Sequence, residues 1–137
     1  MTKDEAKNIL LHHSFAHEDT SHPKSTRGFL GMLRPFNGEL IQDNYHEIMQ
    51  AVRVLHATLE SEQLDREVVT ALWAICYLGR SWAVDKNGML RSNNLITQEQ
   101  IDLIEGWINN ISYAVFCLLD GAGIDEAFDE YSEEQQP

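Results

Sequence analysis

The stretch from Val68 to Val84, VVTALWAICYLGRSWAV, places apolar residues on nearly every side of a helical wheel. A helix that is apolar all round has to be surrounded by other elements. The segment therefore predicts a central rod around which the rest of the chain packs, with Trp73, Trp82 and the Trp107 of a later helix as core residues. No segment shows strand-like alternation of useful length, and there is no internal repeat.

Signals for the surrounding helices follow in chain order. Thr2 and Glu5 have capping-box spacing, in which hydroxyl and carboxylate satisfy free amides reciprocally. They open a helix over about Lys3 to His13, with Ala6, Ile9, Leu10 and His13 on one stripe. Asn44 and Glu47 repeat that spacing and predict a second helix over about Tyr45 to Glu60. Asp65 is placed to cap the central helix. Thr97 and Gln100 form a third box for a helix from Gln98 to Leu119, which Gly121 is suited to end in a left-handed conformation. A last turn, Ile124 to Tyr131, docks through Phe128.

Between Thr20 and Gly38 the prolines and glycines predict a long irregular connection, with one helical turn at Phe29 to Leu33 and its apolar residues pinned to the core. The expected fold is all-α: a single-domain bundle of about four main helices over residues 1–131, with a long N-terminal loop and a short C-terminal helical turn. Residues 132–137 are expected to form a flexible acidic tail. A chain of 137 residues buries roughly two-thirds of the surface it exposes when unfolded, enough for one real core.

Charge is the strongest pointer to function. The net charge is -12, and it is unevenly distributed: through Arg91 there are 10 basic and 12 acidic residues, whereas Ser92 to Pro137 contains 10 acids and no Lys or Arg. Such a surface repels a phosphate backbone and attracts a basic protein, so nucleic acid is excluded as the expected partner and a basic protein surface takes its place. No apolar run reaches the roughly 18 residues needed to cross a bilayer, and the charged start MTKDEAKN is not a secretory signal. A cytoplasmic protein without a membrane partner is expected. Its two cysteines, Cys76 and Cys117, are then buried reduced thiols.

Three constellations are candidate sites. Asp125, Glu126, Asp129 and Glu130 surround Phe128 and Tyr131, and acids around aromatic anchors suit capture of a basic partner. Lys24, Arg27 and Arg34 sit in an acid-free loop that could hold an anion, or that folds back on the acidic C-terminal third. His13 and His17 at i, i+4, with His22 close behind, have the residue types of a metal site, although no HExxH motif is present. DKNG at Asp85 to Gly88 fails at both anchoring ends of a calcium loop and reads as a helix terminator.

No nucleophile motif or phosphate-binding loop appears. The composition and charge therefore predict a small acidic non-catalytic interaction protein, inhibitor- or neutraliser-like, that masks a basic surface of a protein partner and needs no cofactor. The alternative is a helical metal-binding protein or metalloenzyme using the His13/His17 cluster and a divalent transition metal. A homodimer through apolar grooves is a further option.

Overall fold

A computed structural model describes residues 1–131; the expected acidic tail, 132–137, lies outside the described residues. The protein is all-α. Helices α1 (Lys3–His13), α2 (Pro23–Arg27), α3 (Gln42–Val54), α4 (His56–Glu60) and α5 (Arg66–Gly79) lead into a π-helical turn, Arg80–Val84. Helices α6 (Met89–Ser92), α7 (Gln98–Leu119) and α8 (Ile124–Ala127) follow. Among the described residues the only extended pairing is an isolated bridge between Leu33 and Phe36.

Local chemistry explains several helix ends. The Thr2–Glu5 and Thr97–Gln100 boxes both form reciprocally. The Asp65 carboxylate accepts from the Glu67 and Val68 amides and from Lys7 Nζ at 2.9 Å, which fastens the start of α5 to α1. Gly121 ends α7 at φ 81°, the left-handed conformation expected of it.

The third predicted box does not form. Helix α3 starts at Gln42 with Ile41 as an uncapped boundary residue, so Asn44 lies inside the helix and is fully buried. Its side chain faces the loop before it: Nδ2 donates to the Arg27 carbonyl at 3.0 Å, and Oδ1 accepts from Lys24 Nζ at 3.0 Å. That loop carries a helix not expected from the sequence, Pro23–Arg27, where Pro23 presets the first turn and the His22 ring accepts the Lys24 amide. At Phe29 to Leu33 the backbone turns as expected, with the Met32 amide bonded to the Gly28 carbonyl at 2.8 Å. Phe29, Leu30 and Leu33 are fully buried behind it.

Helix α1 packs on α3 and α5, and α5 packs on α7, which also contacts α3, α4 and α8. The α5–α7 approach is close: a Cβ on Gly79 would lie 3.1 Å from Ile108 Cδ1 and 3.3 Å from Phe29 Cε1. Arg80 Nη2 then donates to Asn109 Oδ1 at 2.8 Å and Cys76, one turn earlier on α5, meets Ser112, one turn later on α7, so the two helices run antiparallel.

The expectation of a fully surrounded rod is overturned. Val68, Ala71, Leu72, Ile75 and Ala83 are buried, but Trp73 is 73% and Tyr77 64% exposed. The reason is geometric, since α1 and α7 cover one side of α5 and no described element covers the other. Trp107 alone of the three tryptophans is buried.

Two substitutions separate the faces. Ile75→Ala opens a cavity in a fully buried position and is expected to lower stability by about 2–5 kcal/mol in urea unfolding. Trp73→Ala, on the same helix, should cost well under half of that; equal losses would contradict the exposed face.

Candidate interaction surface and the histidine cluster

The sequence-derived sites are distributed differently from expectation. His13 is fully buried. Its Nδ1 accepts the Phe29 amide at 2.8 Å and its Nε2 lies 2.7 Å from Glu47 Oε1. An acceptor Nδ1 leaves the proton on Nε2, so the ring is neutral and donates to the carboxylate. Burial pushes the His13 pKa down, against the raising influence of Glu47. For Glu47, burial acts upward but is outweighed by the hydrogen bond from neutral His13 and by the charge and hydrogen bond of Lys24, and its pKa is lowered. Gly28 permits this arrangement, because a Cβ there would meet the Lys24 carbonyl oxygen and sit 2.9 Å from His13 Nδ1.

His17 and His22 do not join His13. Their rings stack on the two faces of His12, with centroids 3.8 and 4.0 Å from it. Their Nδ1 atoms are occupied as backbone acceptors, from the Asp19 and Lys24 amides. The Ser25 hydroxyl donates to the Asp19 carbonyl and accepts from His12 Nδ1 at 2.8 Å, which fixes the central ring as a donor. Among the described residues no three His, Cys, Asp or Glu side chains group as metal ligands would. The convergence expected of His13, His17 and His22 is therefore absent, since ring stacking and backbone capping orient imidazoles differently from a shared metal.

The basic trio is also dispersed. Lys24 Nζ serves Asn44 and lies 3.7 Å from Glu47; the Arg34 guanidinium sits over the Trp82 ring at 5.3 Å; Arg27 is exposed and its carbonyl is taken by Asn44. None of the described ion pairs joins these cations to the C-terminal acids.

At the C-terminal end, acids and aromatics separate. Asp125, Glu126, Asp129 and Glu130 are exposed, whereas Phe128 and Tyr131 are buried and unavailable as anchors for a partner. Arg53 lies over the Phe128 ring at 4.5 Å, and the Tyr131 hydroxyl shares a 2.6 Å hydrogen bond with His46 Nδ1. These contacts hold the chain after α8 against α3. Glu126 accepts from the Tyr113 hydroxyl at 2.5 Å, which raises the Tyr113 pKa.

The exposed aromatics are elsewhere. Between α5 and α7 runs an apolar groove of about 390 Å³, with Leu72, Cys76 and Val115 at its floor, Trp73 and Tyr77 on one side and Phe116 and Leu119 on the other. Phe116 is 61% exposed. A second apolar groove of about 400 Å³ lies on the far side of Trp73 and Tyr77, so these two rings form a ridge. Cys76 is half-buried and unpaired, and burial pushes its thiol pKa up, which disfavours the reactive thiolate. The sequence did contain this surface, as Trp73, Tyr77, Phe116 and Leu119 at helical spacings, but nothing in that pattern says which apolar stripe lacks a neighbour.

No family model, curated protein or solved structure matches this chain. Among the described residues no helix is long and apolar enough to cross a membrane.

The buried imidazole makes stability pH-dependent. A histidine held neutral binds its proton less readily folded than unfolded, so stability is lost as pH falls below the unfolded value of about 6.5. Glu47, whose folded pKa is lowered, adds a second loss in the same direction at still lower pH. The urea midpoint should decline from pH 7 to 5, less steeply in His13→Gln; His12, whose pKa is also lowered, chiefly by burial, contributes to the remaining slope. A flat wild-type profile would contradict a neutral His13.

Proposed function

We propose that this protein is a small acidic non-catalytic interaction protein that covers a basic surface of a protein partner, with its principal helices packed as a bundle that serves as scaffold. The observation that carries the reading is the exposed aromatic face of α5 and α7, Trp73, Tyr77 and Phe116, in a chain whose net charge is -12. Monomeric proteins rarely leave contiguous apolar patches of this kind uncovered unless they bind something. Large rigid aromatics supply contact energy at low entropic cost, while surrounding charge selects the partner and speeds encounter.

The acids have a different role from the one their sequence neighbours imply. With Phe128 and Tyr131 folded into the core, Asp125, Glu126, Asp129 and Glu130 act as a steering field, and the anchoring contacts come from the α5–α7 face. Among the described residues Asp120, Asp125, Asp129 and Glu130 form no ion pair, so their charge is uncompensated by the chain's own cations. The metal-centred alternative has less support, because its three histidines are committed to Glu47, to each other's neighbour His12 and to backbone amides.

The test is the dependence of partner binding on salt and on charge. A partner retained from native lysate at low salt, then purified, should lose affinity by about tenfold or more as the Debye length falls from roughly 30 Å to 10 Å. Neutralising Asp125, Glu126, Asp129 and Glu130 to their amides should slow association and flatten that dependence. Affinity unchanged across this range of ionic strength would remove the electrostatic mechanism.

A further inference from the structure

We infer that the groove between α5 and α7 is the seat of one amphipathic, basic α-helix from the partner; this rests on the reading of the protein as an interaction module and specifies its mode. The argument begins with the shape of the groove. Two antiparallel helices present side-chain ridges at helical spacing, Trp73 and Tyr77 at i, i+4 on one side and Phe116 and Leu119 at i, i+3 on the other. Between them lies a floor that includes Leu72 and Val115. Residues 69–80 give the groove a length of about 17 Å at 1.5 Å per residue, three helical turns.

An extended peptide is a poor fit. Strand addition draws its affinity from unpaired main-chain donors and acceptors at a sheet edge. Both walls here are helices whose backbone groups are already bonded internally, so the groove offers only side chains. A third helix laying an apolar stripe between the two ridges completes a three-helix packing unit of the kind the rest of the fold already uses.

Charge decides what the flanks of that helix carry. The α7 wall belongs to the segment after Ser92, which has no Lys or Arg. Asp120 adjoins Leu119 at one end of the groove, and Glu126, held by Tyr113, stands beside α7. Glu105 at the other end is already engaged by Arg80, the one charged side chain lining the groove, which Asn109 also holds. Lys and Arg on the flanks of the incoming helix therefore meet Asp120, which is in none of the described ion pairs, and Glu126, whose carboxylate keeps capacity to accept beyond the Tyr113 hydroxyl. A second copy of this chain would bring another charge of -12 and place like acids face to face, which is unfavourable.

The experiment uses the full chain and three synthetic peptides of about 18 residues, five helical turns: a Leu/Lys amphipathic helix, a scramble of the same composition without helical apolar periodicity, and a Leu/Glu amphipathic helix. Affinity is measured by titration calorimetry, and the site by the indole N–H resonances of Trp73, Trp82 and Trp107. The basic amphipathic peptide should bind at least about tenfold tighter than either control, shift the Trp73 indole and leave that of buried Trp107 in place. Trp73→Ala and Phe116→Ala, both at exposed positions that leave the core intact, should each lower the affinity by about tenfold or more.

Equal binding of the scramble would overturn the helical mode while leaving the acidic interaction reading standing. Equal binding of the Leu/Glu helix would overturn the basic chemistry of both. A dimer in sedimentation equilibrium that Trp73→Ala abolishes would show that a second copy fills the groove, and this inference would then be wrong. No binding of the Leu/Lys peptide, alongside salt-dependent capture of a natural partner, would overturn the groove assignment alone.

Discussion

A neutral imidazole inside the core ties the N-terminal half of this protein together. His13, at the end of α1, accepts the Phe29 amide on one nitrogen and donates a hydrogen bond to the Glu47 carboxylate of α3 with the other. Its backbone carbonyl also accepts the Leu30 amide at 3.1 Å. Asn44, one turn before Glu47, secures the Arg27 carbonyl and Lys24. A glycine- and proline-rich connection thereby has its backbone groups satisfied where it crosses the core, and Phe29, Leu30 and Leu33 can be buried beneath it. Without those partners the same crossing would strand polar groups away from water, at a cost of about 1–3 kcal/mol for each.

The C-terminal half is governed by the antiparallel contact of α5 and α7. Gly79 brings the helices together against Ile108 and Phe29. Immediately after it the helix widens into a π-helical turn, where the Asp85 amide bonds to the Arg80 carbonyl at 2.9 Å. Arg80 reaches Glu105 and Asn109 across the helix pair, and Ala83 is buried. The close approach fixes one face of each helix in the core and leaves the other face of each looking outward. The groove results from this pairing, and neither helix could form it alone.

Acidic and apolar surfaces are arranged so that neither neutralises the other. The short segment after α7 folds back through Phe128 and Tyr131, under Arg53 and beside His46 and Tyr45. Its aromatics contribute to stability, and its carboxylates remain exposed, with Glu126 hydrogen-bonded to Tyr113 of α7. In the proposed interaction, long-range attraction comes from one set of residues and short-range contact area from another.

Helix positions were legible in the sequence to the extent that they depend on neighbours within four residues. The Thr2 and Thr97 boxes, the Asp65 cap and the left-handed Gly121 are local devices, and each forms where the spacing places it. Asn44 and Glu47 have the same spacing as a cap but face a loop far away in sequence, so the local pattern misleads there. The histidines share this ambiguity, because an imidazole that caps an amide, stacks on another ring or pairs with a carboxylate has the same letter as one that binds a metal. By itself the sequence determined an all-α chain with an acidic C-terminal third, since periodicity, caps and charge are properties of the chain alone. Only the tertiary structure decided that Phe128 and Tyr131 turn inward while Trp73, Tyr77 and Phe116 face out, because burial depends on which neighbour arrives, and apolar stripes do not name their neighbours.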